Sequence, residues 1–124
     1  MFSHIVVGAD DISAAKRFYD AALGALGYEP GAEMGDRVIY SASTGILMVT
    51  KPFDGGPATF GNGITIGLTA PTVEAVDAFH ANGVAAGGRD EGAPGPRAAI
   101  PNSYAAYLRD PTGNKLVAWC VKDG

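Results

Sequence analysis

Apolar and polar positions alternate by two in several short stretches and recur at three to four in two longer ones. In Phe2–Val7, Ser3, Ile5 and Val7 share one face, and His4 and Val6 the other. In Ile64–Leu68, the apolar face is Ile64, Ile66 and Leu68, with Thr65 and Gly67 opposite. Behind each strand comes helical spacing. Ala14, Phe18, Ala22 and Leu26 form one stripe, and Val76, Phe79 and Val84 the second. Asp11 and Thr72 are placed to cap the two helices, and Gly27 and Gly87–Gly88 to stop them. The pattern predicts helices over 11–26 and 72–86. It predicts strands over 2–8, 28–32, 36–42, 46–51, 63–69, 88–91, 104–109 and 114–121.

The two halves repeat each other. Shifting the chain by 61 positions lays residues 1–27 over 62–88 with six identities, among them Ile5/Ile66, Phe18/Phe79 and Gly27/Gly88. His4 and Thr65 then hold equivalent places on the less apolar strand face. The later parts align at a shift of 68, which pairs Thr44-Gly45 with Thr112-Gly113 and Val49 with Val117. Both Thr-Gly pairs read as hairpin turns. The extra residues fall in the Gly/Pro-rich stretch 87–101, read as a loop flanking a third strand. Each copy is strand, helix, three strands. The expected fold is α+β: two βαβββ modules in one domain over 1–124, module one about 1–56 and module two about 62–122. Each sheet would be covered by a helix on its outer face, and the free faces would form a cup suited to a small molecule.

Composition narrows the function. Of 124 residues 47% are apolar, enough for a core, and the net charge is −4. The nine Lys and Arg are scattered, so nucleic acid is not an expected partner. No apolar run approaches a membrane span of about 20 residues, and the first residues lack the pattern of a signal peptide. A soluble, cytoplasmic protein is the expectation. The single Cys120 excludes an internal disulfide and reads as a small apolar residue on a buried strand face.

Certain residues resemble a known superfamily. His4 in the first strand, Phe18-Tyr19 in a helix opened by Asp11, and Asp110-Pro111-Thr112-Gly113-Asn114 before the last strand are similar to those of glyoxalase/bleomycin-resistance/extradiol-dioxygenase (vicinal oxygen chelate) proteins. So is the second helix, from Val73 to His80. The resemblance covers essentially the whole chain and implies a cup. In metal-using members, the first and last strands of each module supply His and Glu to a divalent metal. Transferred position by position, those ligands fall on His4, Thr65, Val117 and, by the internal alignment, Val49. One imidazole, one hydroxyl and two valines do not make a conventional metal site, so no cofactor is expected. A divalent metal is the alternative.

Alternation from Val117 places Lys115, Val117 and Trp119 on the cup face, with Leu47, Val49 and Lys51 from the first copy and Tyr107 and Ile39 from the third strands. The expected ligand-binding cup is therefore His4, Val49, Thr65, Tyr107, Lys115, Val117 and Trp119. It suits a small aromatic or amphipathic molecule, including one that carries a carboxylate or phenolate. The alternative is that Tyr107 and Trp119 fill a collapsed cup. His4 is the one candidate catalytic residue, as a general base or hydrogen-bond donor without metal, or else a relic of the ligand position. His80 reads as a surface histidine. If the protein is an enzyme, a glyoxalase-like lyase or isomerase is the nearest class. An extradiol-type dioxygenase would need two His and one Glu on iron. Small members of the superfamily usually pair, which makes a homodimer the expected assembly.

Overall fold

The structure is a computed structural model, and it describes residues 1–122; the last two residues of the expected domain lie outside the described residues. The chain runs β1 (His4–Gly8), α1 (Ile12–Gly24), β2 (Ala32–Met34), β3 (Arg37–Ala42), β4 (Gly45–Thr50), β5 (Ile66–Thr69), α2 (Val73–Ala85), β6 (Arg89–Pro96), β7 (Ser103–Arg109) and β8 (Lys115–Val121). These are two βαβββ modules. The sheets have the orders β1-β4-β3-β2 and β5-β8-β7-β6. In each, the first strand lies parallel to the last and the other pairings are antiparallel.

The capping residues act as the sequence predicts. The Asp11 side chain accepts the Ala14 N–H at 3.0 Å, and Thr72 Oγ1 accepts the Ala75 N–H at 3.0 Å. Each satisfies one of the donors left over at a helix start. Gly27 and Gly87 follow the helices with φ of 97° and 105°, a conformation that costs a residue with a Cβ but not glycine.

The buried stripe of α1 is Ala15, Phe18, Tyr19, Ala22 and Leu23, rotated slightly from the predicted one. On α2 the stripe is Ala75, Val76, Phe79 and Gly83, while the predicted Val84 is exposed. The reason lies between the helices. α1 and α2 pack against each other, and a Cβ on Gly83 would collide with Leu108 and crowd Phe18. Burying a side chain such as Phe18 or Phe79 completely contributes about 2–3 kcal/mol. One core cluster joins both modules through these side chains.

Two strands differ from expectation. Tyr28–Gly31 is not a strand: Pro30 has no N–H to give a ladder, and the Gly31 N–H goes to Asp20 Oδ1 at 2.9 Å. Pairing begins at Ala32, and the hairpin turns at Gly35-Asp36, where Gly35 has φ of 62°. In the Gly/Pro-rich stretch the predicted strand 88–91 is longer than expected: β6 runs along the edge from Arg89 to Pro96, and beyond it only 97–101 of the stretch remain outside a strand. Its register shifts between Asp90 and Gly92 and again between Gly92 and Gly95. An edge position tolerates Pro94 and Pro96, because one side of the strand has no ladder to complete.

Candidate functional site

β1 and β5 are the end strands of their sheets. They flank a common seam without pairing across it, and Phe2, Ile5, Ile66 and Gly67 line hollows at both of its ends. The first hollow, about 500 Å³, lies between β1, the end of α1 and β5; Ile5, Leu23, Leu26, Leu47 and Leu68 are among its walls, with Tyr28 and Tyr40. The second, about 490 Å³, lies where the end of β1 meets the start of β5, among Val6, Ile64, Thr65, Asn114 and Lys115. Both are of the size of small-molecule sites. One pair of positions is equivalent, since His4 and Ile46 of the first hollow correspond to Thr65 and Lys115 of the second, but nothing from α2 lines the second hollow as Leu23 of α1 lines the first.

The expected cup residues are only partly brought together. His4 lines the first hollow, while Thr65 and Lys115 line the second. Val117 and Tyr107 are directly paired neighbours on the same sheet face as Lys115, and Trp119 lies further along it, opposite Ala105. Val117 also stands over Gly67, whose Cβ, if present, would lie 3.7 Å from it. His4 is exposed, its Nδ1 2.8 Å from Ser3 Oγ.

Val49 is misplaced in the sequence reading. It is fully buried on the helix side with Val38 and Leu47. Its β1 partner is Val7, whereas Met48 pairs with Val6 and Val117 with Gly67. Met48 is therefore the counterpart of Val117. The same shift removes Leu47 and Lys51 from the open face and puts Ile46 and Thr50 there. The hairpins caused the error. β3 and β4 are joined through Ser43-Thr44 alone, because Ala42 pairs with Gly45, but β7 and β8 are joined by all of Asp110–Asn114. Aligning the Thr-Gly pairs thus displaces the following strand by one residue, and one residue in a strand changes the face.

The Asp110 turn is the most densely hydrogen-bonded part of the site's frame. Asp110 is 2% exposed. Its Oδ1 accepts the N–H groups of Thr112, Gly113 and Asn114 at 3.0, 2.8 and 2.8 Å. Its Oδ2 accepts Tyr19 Oη–H at 2.6 Å and Asn114 Nδ2–H at 2.9 Å. Asn114 Nδ2 also donates to the Gly8 carbonyl at 3.2 Å. One buried carboxylate thus fixes β1, α1 and the start of β8 around the second hollow, with its charge met by donors. Burial, and then the Asp110 charge, pushes the Tyr19 phenol well above its ordinary value, so it stays a donor. The motif was legible in the sequence; its link to Tyr19 was not, since 91 residues separate them.

A second network holds the first hollow. Tyr40 Oη–H donates to Asp20 Oδ1 at 2.8 Å, and Lys16 pairs with Asp20 Oδ2 at 2.6 Å. Burial, together with the Asp20 charge, raises the Tyr40 phenol far above its ordinary range. Burial alone would push the Asp20 carboxyl up as well. The Gly31 N–H, Lys16 and Tyr40 together outweigh it and hold that carboxyl below its ordinary value. His80, on α2, meets Asp90 at 2.9 Å with its side chain 17% exposed, and takes no part in either hollow. Cys120 is buried, as its strand position implied.

The family model for the Glyoxalase/Bleomycin resistance protein/Dioxygenase superfamily matches residues 1–118. The chain belongs to this superfamily. A crystal structure of a glyoxalase/bleomycin resistance protein from Albidiferax ferrireducens T118 is 48% identical, with 97% of this chain and 98% of that chain covered and a TM-score of 0.91. Two more distant structures share the fold. A glyoxalase-related enzyme from Fulvimarina pelagi is 20% identical, covers 97% and 87%, and has a TM-score of 0.76. Lactoylglutathione lyase from Agrobacterium tumefaciens is 23% identical, covers 97% and 92%, and has a TM-score of 0.65. No curated protein matches the chain. Against the four-ligand pattern of metal-using members of the superfamily, the corrected positions are His4, Met48, Thr65 and Val117. An imidazole, a thioether, a hydroxyl and an isopropyl group are not a donor set for a hard or borderline divalent metal. Among the described residues, no group of three or more His, Cys, Asp or Glu is placed to hold an ion. No helix of the described residues is long and apolar enough to cross a membrane.

Proposed function

We propose that this superfamily member binds a small aromatic or amphipathic molecule at the β1/β5 seam, without a metal, as a homodimer. The observation that carries this reading is the seam itself: two adjoining hollows of about 500 and 490 Å³ with largely apolar walls, next to ligand positions that retain only His4. An apolar enclosure supplies affinity through burial, and a few polar groups fix orientation. His4, with Nδ1 engaged by Ser3, keeps Nε2 for a hydrogen bond to a bound molecule. Pairing is supported by the exposed apolar side chains around the seam, Phe2, Val6, Ile46 and Ile64, over which a second copy would close the hollows without filling them.

Metal content and thermal shift test this together. Protein purified without chelator and dialysed should carry no stoichiometric zinc, nickel, manganese or iron. Compounds found by thermal-shift screening should raise the melting temperature equally with and without EDTA, since a ligand that binds only the native state stabilises by mass action. Stoichiometric metal lost together with His4 in His4→Ala would overturn the metal-free reading and favour a metal-dependent lyase or isomerase.

A further inference from the structure

Three cations stand together on the open face of the second sheet, in a chain of net charge −4. Arg109 and Lys115 are direct cross-strand partners, an arrangement that like charges make unfavourable. Arg109 is neutralised: its guanidinium reaches Glu91 at 3.3 Å and the Gly113 carbonyl at 2.9 Å. The other two are not. Lys115 and Arg97 have no carboxylate partner among the described residues, and both lie over the Tyr107 ring, at 5.1 and 5.5 Å from its centroid. Arg97 is held there by the carbonyls of Ala93, Gly95 and Pro96, so its position is set before any ligand arrives. Lys115 also lines the second hollow, whose walls include Val6 and Ile64. An uncompensated cation at the mouth of an apolar hollow is complementary to a molecule with one anionic end and one apolar end.

We infer that the second hollow takes a small organic carboxylate with an aromatic or aliphatic body, its anionic group on Lys115 beside Tyr107 and Arg97. This rests on the reading of the β1/β5 seam as a ligand site and adds the charge of the ligand. The apolar body displaces water from Val6 and Ile64, and the carboxylate supplies the counter-charge that Lys115 and Arg97 lack. Lys115 is the specificity-determining residue, and Arg97 adds to the local potential.

The test uses phenylacetate and its neutral analogue phenylacetamide, titrated calorimetrically into the full chain at low and moderate salt. Phenylacetate should bind in the millimolar range or tighter, at least about tenfold better than the amide, a difference of about 1.4 kcal/mol. Its binding should weaken with salt. Lys115→Met keeps the stem that packs on Tyr107 but removes the charge, and should abolish the preference for the anion; Lys115→Arg should retain it. If both probes bind equally and Lys115→Met changes nothing, the inference of charge falls and the seam remains a ligand site. If neither probe binds at millimolar concentration, the carboxylate inference falls with it, and only the thermal-shift screen still bears on the seam.

Discussion

Asp20 carries more of the fold than its place on a surface helix suggests. It accepts hydrogen bonds from Tyr40 and from the Gly31 N–H and pairs with Lys16, so it ties α1 to β3 and to the turn before β2. Its carboxyl is held below the ordinary value. A depressed acid binds fewer protons in the folded state than in the unfolded one, so its contribution is full above the unfolded value near 3.8. It fades as the pH falls through the lower, folded value. Asp20→Asn should therefore destabilise the protein at pH 7 by about 1.5–3 kcal/mol, the range for a hydrogen bond to a charged group. The gap from wild type should narrow below about pH 4, as urea unfolding at stepped pH would register. A gap that is constant down to the acid transition would mean that Asp20 acts by shape alone. The sequence offered no sign of this group. Neither Tyr40 nor Gly31 is within helical reach of residue 20, and only the folded chain brings them there.

Nearly all the elements were legible, because each depends on signals contained within it. Helix caps, the Gly stops and the two-residue alternation of β3, β7 and β8 act over a few residues. What failed was registration between elements. The shared Thr-Gly pair aligns the two halves across hairpins of different length, and that alignment turns the whole of β4 over. The site inherited that error in Val49. It also inherited a gap, since Arg97 sits just past the end of an edge strand whose later part the Gly and Pro content had disguised as a loop. A pair of substitutions separates the two registers. Val49→Glu would bury a carboxylate with no partner under the helices, and should cost about 3 kcal/mol or more, or prevent folding. Met48→Glu, on the open face, should cost less than about 1 kcal/mol. Comparable losses in the two variants, read from denaturant midpoints, would contradict the observed register.

At the scale of the molecule, the open sheet faces are the unfinished part of the surface. Phe2, Ile64 and Val6 are 70%, 60% and 47% exposed, and they cluster at the seam rather than being scattered. A homodimer should sediment well above the 12.6 kDa of one chain at micromolar concentration. Val6→Lys together with Ile64→Lys should return it to the single-chain mass without loss of melting cooperativity. A wild-type species at 12.6 kDa under those conditions would remove the dimer from the reading.

The turn at Asp110 has a consequence for how the chain comes to be folded at all. Its donors include Tyr19, and its neighbour Asn114 reaches Gly8, so the turn in the second module is completed by groups of the first. The helices repeat the dependence, because α1 packs chiefly on α2. Although the chain reads as a tandem duplication, neither half retains a finished interior of its own. Cut in the exposed linker at Gly55, each piece should be largely unstructured when alone. Mixed, the two should recover native near-ultraviolet dichroism, each serving as the template on which the other folds. A half that folded unaided would show that the ancestral unit still survives within the pair.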